Sequence, residues 1–278
     1  YIPHYITKPP ANHSGDKGSS HVPESNMGVL TKVITFTLVY LAISLTASAE
    51  QVRVAVASNF SAAMEDITTG FEAASGHDVV LSFGSSGKIY AQIRNGAPFQ
   101  VFLSADQAKP EALEQDGLIV AGSRFTYAIG TLALWSAEPG VIDGDDRRLR
   151  DGRFNKLALA NPRLAPYGAA AVEALEALGL RQATEPQWVM GENIAQTYQF
   201  VATGNADLGF VALSQIMQEG QIWKGSSWIV PEDLYSPIRQ DAVLLDAASD
   251  SEGARALLDY LRSDEARAII HSYGYRTE

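Results

Sequence analysis

Cysteine is absent from all 278 residues. Thiolate-bound zinc and iron–sulfur centres are thereby excluded, and an exported chain of this kind must be held together by core burial instead of disulfides. Histidine is scarce. Beyond residue 50 there are His77 and His271, far apart in sequence and each beside an expected helix end, where a polar residue needs no functional explanation. No H-E-x-x-H, G-x-S-x-G or Walker pattern occurs, and no apolar run reaches the roughly 20 residues needed to cross a bilayer. Positive charge is also short, with 21 Lys and Arg against 32 Asp and Glu for a net −11. Lys8, Lys17 and Lys32 outnumber Asp16 and Glu24 in the first 49 residues, so the remainder carries −12. Such a chain repels a phosphate backbone, which argues against nucleic acid as a partner. It does not exclude a small anion, because affinity is set by donors within a few ångströms whereas net charge acts on long-range approach.

What is present begins with an export signal. Met27 and Lys32 precede the apolar run Val33 to Leu45, which ends in Ala47-Ser48-Ala49, the order of a secretory signal peptide with an A-x-A cleavage site. Residues 27–49 are therefore expected to be removed, leaving a soluble periplasmic chain from Glu50. A lipid-anchored form would need cysteine where Glu50 stands. Residues 1–26 start with Tyr and are rich in His, Pro, Ser and Gly. They are expected to be either translated sequence upstream of the true start or an extension too polar to fold.

From residue 50 the chain alternates short β-branched runs with helical periods, which predicts an α/β fold with mainly parallel strands. The strand Val52 to Ala57 leads through Ser58-Asn59 into a helix with Phe60, Met64, Ile67 and Phe71 on one face. The strand Val79 to Phe83 leads through Gly84-Ser85-Ser86-Gly87 into a second. The apolar segment Tyr127 to Trp135 is longer than one strand requires, and predicts a crossing into a second lobe with a bend near Gly130. The second lobe is expected to hold the strand Lys156 to Ala160, helices Ala169 to Leu178 and Ala195 to Thr203, and the strand Leu208 to Ala212. A return near Ile238 would place the helices from Ser251 to Tyr273 back on the first lobe. The expected division is 50–130 and 239–278 in lobe 1, and 131–238 in lobe 2.

Four turns share one design, small polar residues directly before a helix: Ala57-Ser58-Asn59, Gly84-Ser85-Ser86-Gly87, Ala165-Pro166-Tyr167-Gly168 and Gly191-Glu192-Asn193-Ile194. Turns of this kind present unpaired N–H groups and the positive end of the helix dipole, and together they could surround a dianion without lysine or arginine. Taken singly, each is better accounted for by ordinary capping, since Ser and Asn are the usual N-cap residues. An enzyme reading also exists. Ser85-Ser86-Gly87-Lys88 fits the S-x-x-K motif of serine acyl-enzymes, but no S-D-N accompanies it, and Lys88 is equally a solvated helix-face residue.

As a set, these segments resemble the periplasmic molybdate-binding proteins of ABC transporters over essentially the whole chain beyond residue 50. The stretches that carry the resemblance are Val56-Ala57-Ser58-Asn59-Phe60, Ser82 to Gly87, Asn95-Gly96-Ala97-Pro98, Phe102 to Asp106, Asn161-Pro162 with Ala165-Pro166-Tyr167-Gly168, and Ala206 to Ala212. The resemblance implies a two-lobed type II periplasmic-binding fold, each lobe a mixed sheet flanked by helices, with two crossovers. It implies capture of molybdate or tungstate, no reaction and no cofactor, delivery to a membrane permease, and action as a monomer. It assigns the contacts to Ser58 and Ser86 in the first lobe, to the backbone donors of Tyr167 and Ile194 in the second, and to Asn59. Some members also supply a tyrosine hydroxyl where this chain has Ala212, and Asn59 is the expected replacement.

Overall fold

The computed structural model describes residues 49–278. Residues 1–26 and the expected signal peptide, apart from Ala49, lie outside them. In chain order the elements are β1 (Gln51–Ala57), α1 (Ser61–Ser75), β2 (Asp78–Gly84), α2 (Ser86–Arg94), β3 (Val101–Leu103), α3 (Ala108–Gln115), β4 (Phe125–Gly130) and β5 (Leu132–Ser136). There follow α4 (Arg147–Arg150), β6 (Leu157–Ala160), α5 (Pro166–Ala177), α6 (Arg181–Thr184), β7 (Trp188–Gly191), α7 (Ile194–Ala202) and β8 (Leu208–Ala212). The chain ends with the small hairpin β9 (Met217–Gln218) and β10 (Gln221–Ile222), then β11 (Ser226–Ile229), β12 (Ile238–Leu244), α8 (Glu252–Tyr260) and α9 (Asp264–Ser272).

Two five-stranded sheets define two lobes. The first has the order β2-β1-β3-β12-β4 and the second β11-β5-β8-β6-β7. Both are mixed. In the first, β1 runs parallel to β2 and β3, while β12 runs antiparallel to β3 and β4. In the second, β6 is parallel to β7 and β8, and β5 is antiparallel to β8 and β11. The long apolar segment is split between the sheets: Gly130 ends β4 in one and Leu132 starts β5 in the other. The return is made by Ile238, which opens β12 and pairs with Gly130, so residue 238 already belongs to the first sheet.

Each sheet is covered on both faces, which is why its strands are apolar at consecutive positions instead of alternating with polar ones. Period 2 still sorts the side chains. Val52, Val54 and Val56 pack with α1, α8 and α9, whereas Ala55 and Phe102 face α2 and α3. In the second lobe Leu132 and Leu134 face α5, and Ala133 and Trp135 face α7. Each fully buried Leu, Val or Phe contributes about 1.5–3 kcal/mol relative to exposure. The helices begin slightly earlier than the apolar periods suggested. Pro166, not Ala169, opens α5, because proline at the first helical position has no N–H to lose.

Candidate functional site

The helix-opening turns converge. Ser58, Asn59, Ser85, Ser86, Tyr167 and Ile194 line one small cavity between the lobes, together with Ala57, Gly84, Ala105, Ala165 and Pro166. Its volume is about 10 Å³, far below the roughly 300–1,000 Å³ typical of sites for drug-sized ligands. All five residues expected from the sequence are buried, at 4% exposure or less. No acidic or basic side chain is among the lining residues. Two larger grooves adjoin it, of about 390 and 320 Å³, sharing Asn59 with one and Ala105 and Pro166 with the other. Both are open, and the second is lined by Asp106, Lys109, Glu173 and Arg239. Both also touch helix starts, Ser61 and Ala195 in the first and Ala108 and Pro166 in the second, but neither contains Ser58, Ser86, Tyr167 or Ile194.

Local structure sets the donors. Ser86, Tyr167 and Ile194 occupy the first or second positions of α2, α5 and α7, so their N–H groups have no partner within the helix. Among the described residues none of the three, nor Ser58 or Asn59, donates its backbone N–H to an acceptor in a neighbouring element. Each helix also directs the positive end of its dipole at the cavity. Ser86 Oγ accepts from Ala105 N at 2.9 Å, which leaves its own proton to point elsewhere. Phe60 fixes the Ser58-Asn59 turn: it is fully buried, with edge-to-face contacts to Tyr127 at 4.8 Å and Tyr275 at 5.2 Å. Such pairs add about 0.5–1.5 kcal/mol each.

The side-chain amide of Asn59 is held by protein partners. Its Nδ2 donates to Gln240 Oε1 at 2.8 Å and to Tyr275 Oη at 2.9 Å, using both amide protons. Its carbonyl accepts from Ser214 Oγ and Tyr275 Oη. What Asn59 leaves to the cavity is its backbone N–H. Ala212 has its N–H bound by Gln215 Oε1 at 3.0 Å, and Gln215 Nε2 in turn donates to Ile194 O at 3.1 Å. The strand end without a tyrosine is thus tied to the helix turn that carries Ile194.

Behind the cavity lies a polar network that the sequence reading missed. Gln240, fully buried, accepts from Asn59 and from Tyr127 Oη, and donates to Tyr167 Oη. Burial pushes the Tyr127 and Tyr167 phenols well above their ordinary pKa, and that of Tyr275 up to about 12. All three are therefore neutral at physiological pH. The signal in the sequence was the polar run Arg239-Gln240-Asp241 inside an otherwise apolar strand, of which Gln240 and Asp241 are buried. The strand is irregular between them, and Asp241 pairs on its own side with Arg124 at 3.0 Å.

The S-x-x-K reading does not assemble. Ser85 Oγ accepts from the backbone N of Lys88 as an N-cap, and Lys88 Nζ lies 2.6 Å from Glu192 on the other lobe. Lys88 is therefore an inter-lobe ion pair, neither a serine base nor a free helix-face charge. Beside it Gly87 N donates to Leu164 O at 2.9 Å. A Cβ on Gly87 would stand 3.0 Å from Leu164 Cα, so glycine is what lets the two backbones approach.

Two lobes joined by two crossings, with a cavity of uncharged donors between them, define an extracellular solute-binding protein. Over residues 52–276 the sequence matches the family described as bacterial extracellular solute-binding protein, and the chain belongs to that family. It is 56% identical over 229 residues to the molybdate-binding protein ModA of Azotobacter vinelandii, covering 82% of this chain and 91% of that one. It is 48% identical over 239 residues to ModA of Rhodobacter capsulatus, covering 86% and 93%. The solved structure of an Azotobacter vinelandii periplasmic molybdate-binding protein superposes with a TM-score of 0.80 at 41% identity, covering 82% and 99%.

Proposed function

We propose that this chain is the periplasmic binding subunit of an ABC importer that captures molybdate, and tungstate of nearly the same size, by closing its lobes. It catalyses no reaction and delivers the anion to a membrane permease. The observation that carries this reading is the cavity itself: Ser58, Asn59, Ser86, Tyr167 and Ile194 bring uncharged donors from both lobes to one small space without an acidic or basic side chain. The kinship with molybdate-binding proteins supports the same cargo.

The chemistry selects among oxyanions. Molybdate is fully deprotonated at neutral pH and only accepts hydrogen bonds, so a cage of donors satisfies it. Phosphate retains a proton part of the time and needs a buried acceptor to receive it. Sulfate is acceptor-only like molybdate but has shorter bonds, which would leave donors spaced for the larger anion stretched or unpaired. Calorimetric titration of the purified protein with molybdate, tungstate, sulfate and phosphate in parallel tests this. Tight binding of the first two and none of the last two is expected. Equal affinity for sulfate would refute the size argument.

A further inference from the structure

Tyr167, like Asn59, lines the cavity while its side chain bonds to Gln240. Its backbone N–H lies at the start of α5 in the second lobe, while its buried phenol reaches the strands that join the lobes. On the return strand, Gln240 Nε2 donates to the phenol oxygen at 3.4 Å. On the outgoing strand, Gly130 pairs with Ile238 of β12. A Cβ on Gly130 would overlap Tyr167 Oη, and would lie 2.7 Å from Gln240 Nε2 and 2.9 Å from Tyr167 Cζ. Gly130 does not have a positive φ, so it is space and not backbone conformation that requires glycine there.

We infer that Tyr167 is the positioning residue that ties anion capture to lobe closure, and that residue 130 is glycine to admit its phenol between the two crossing strands. This rests on the reading of Tyr167 N–H as a donor to the anion. The phenol belongs to one lobe, and Gly130 and Gln240 to the sheet of the other, so the contact forms as the lobes meet. An anion that draws the N-terminus of α5 toward the first lobe seats the phenol with it. The seat is already organised, because Gln240 Oε1 is held by Asn59 Nδ2 at 2.8 Å and Tyr127 Oη at 3.1 Å. The donor turn of the first lobe and the phenol of the second thus share one amide.

The test uses the purified chain and three variants: Gly130→Ala, Tyr167→Phe and the double variant Gly130→Ala/Tyr167→Ala, each of which keeps the N–H of residue 167. Molybdate affinity is measured by calorimetry, contraction on binding by small-angle scattering, and folding by thermal melting without ligand. Gly130→Ala is expected to melt like the parent, to lose affinity about ten- to a hundredfold through overpacking of the closed form, and to contract less. The double variant should bind more tightly than Gly130→Ala, although it carries the larger change. Tyr167→Phe should weaken binding about three- to tenfold. Parental affinity and contraction in Gly130→Ala would overturn the inference, as would a double variant no tighter than the single one. If Gly130→Ala does not fold, Tyr167→Phe decides, and parental behaviour there overturns the inference. A parent that binds no molybdate defeats the cargo reading instead, and shows it without any variant.

Discussion

Replacing Ser86 with alanine separates a ligand donor from a structural cap. Ser86 is the first residue of α2 and 1% exposed. Its Oγ accepts from Ala105 N at 2.9 Å, so its single proton is free to meet an anion in the cavity. Ser86→Ala removes two bonds with different consequences. Loss of a charge-assisted bond to the anion costs about 1.5–3 kcal/mol of binding, or about ten- to 150-fold in Kd. Loss of the bond to Ala105 leaves a buried N–H unpaired and costs about 1–3 kcal/mol of stability, with or without ligand. Ser85→Ala is the control. Ser85 Oγ caps α2 through Lys88 N at 3.4 Å, so its removal should cost about 0.5–2 kcal/mol of stability and leave Kd nearly unchanged. Calorimetry measures the affinities and thermal melting without ligand measures the stabilities. A Ser86→Ala protein that melts lower but binds molybdate like the parent would refute the donor assignment.

Two further outcomes follow from charge and burial. Lys88 and Glu192 are about half exposed, and a surface pair contributes about 0–1 kcal/mol. Lys88→Met should therefore weaken molybdate binding by at most about fivefold, and the parent should lose the same margin in about 1 M salt, where the screening length falls to about 3 Å. A loss in the variant that salt does not reproduce in the parent would count against the pair. The phenol of Tyr275, pushed by burial up to about 12, ionises first in the unfolded chain, near its ordinary value of about 10. Its contribution to stability is thus fully present below about pH 10 and is lost as pH rises toward about 12. The melting temperature should be flat up to about pH 9.5 and then fall, less steeply in Tyr275→Phe. An equal slope in that variant would show that the phenol is not the titrating group.

The alternation of β-branched runs with helical periods made the two α/β lobes legible, and Gly130 within Tyr127 to Trp135 marked the crossing. The helix-opening turns were legible as turns, yet nothing in their composition distinguishes a donor that faces a ligand from an ordinary cap. Their convergence depends on contacts such as Ser86 with Ala105, Gly87 with Leu164 and Lys88 with Glu192, 19, 77 and 104 positions apart, and periodicity carries no information about those. The engagement of the Asn59 side chain was hidden for the same reason. Its amide is claimed by Gln240 and Tyr275, 181 and 216 residues away. Lys88 looked unpaired for the same reason, since its partner Glu192 is 104 residues along the chain.

A cage of neutral donors in a chain of net charge −11 is coherent once capture and release are considered together. A lysine or arginine in the cavity would attract every oxyanion, because a point charge is little concerned with bond length. Fixed N–H and O–H dipoles act over a narrow range of distance and angle, so they discriminate by geometry and leave phosphate's proton without an acceptor. They also make release simple. Ser58, Asn59 and Ser86 belong to one lobe, and Tyr167 and Ile194 to the other, so under the proposed function parting the lobes would remove a share of the donors in one motion. No full counter-charge stays behind to retain the anion, and the surrounding negative charge then favours its departure.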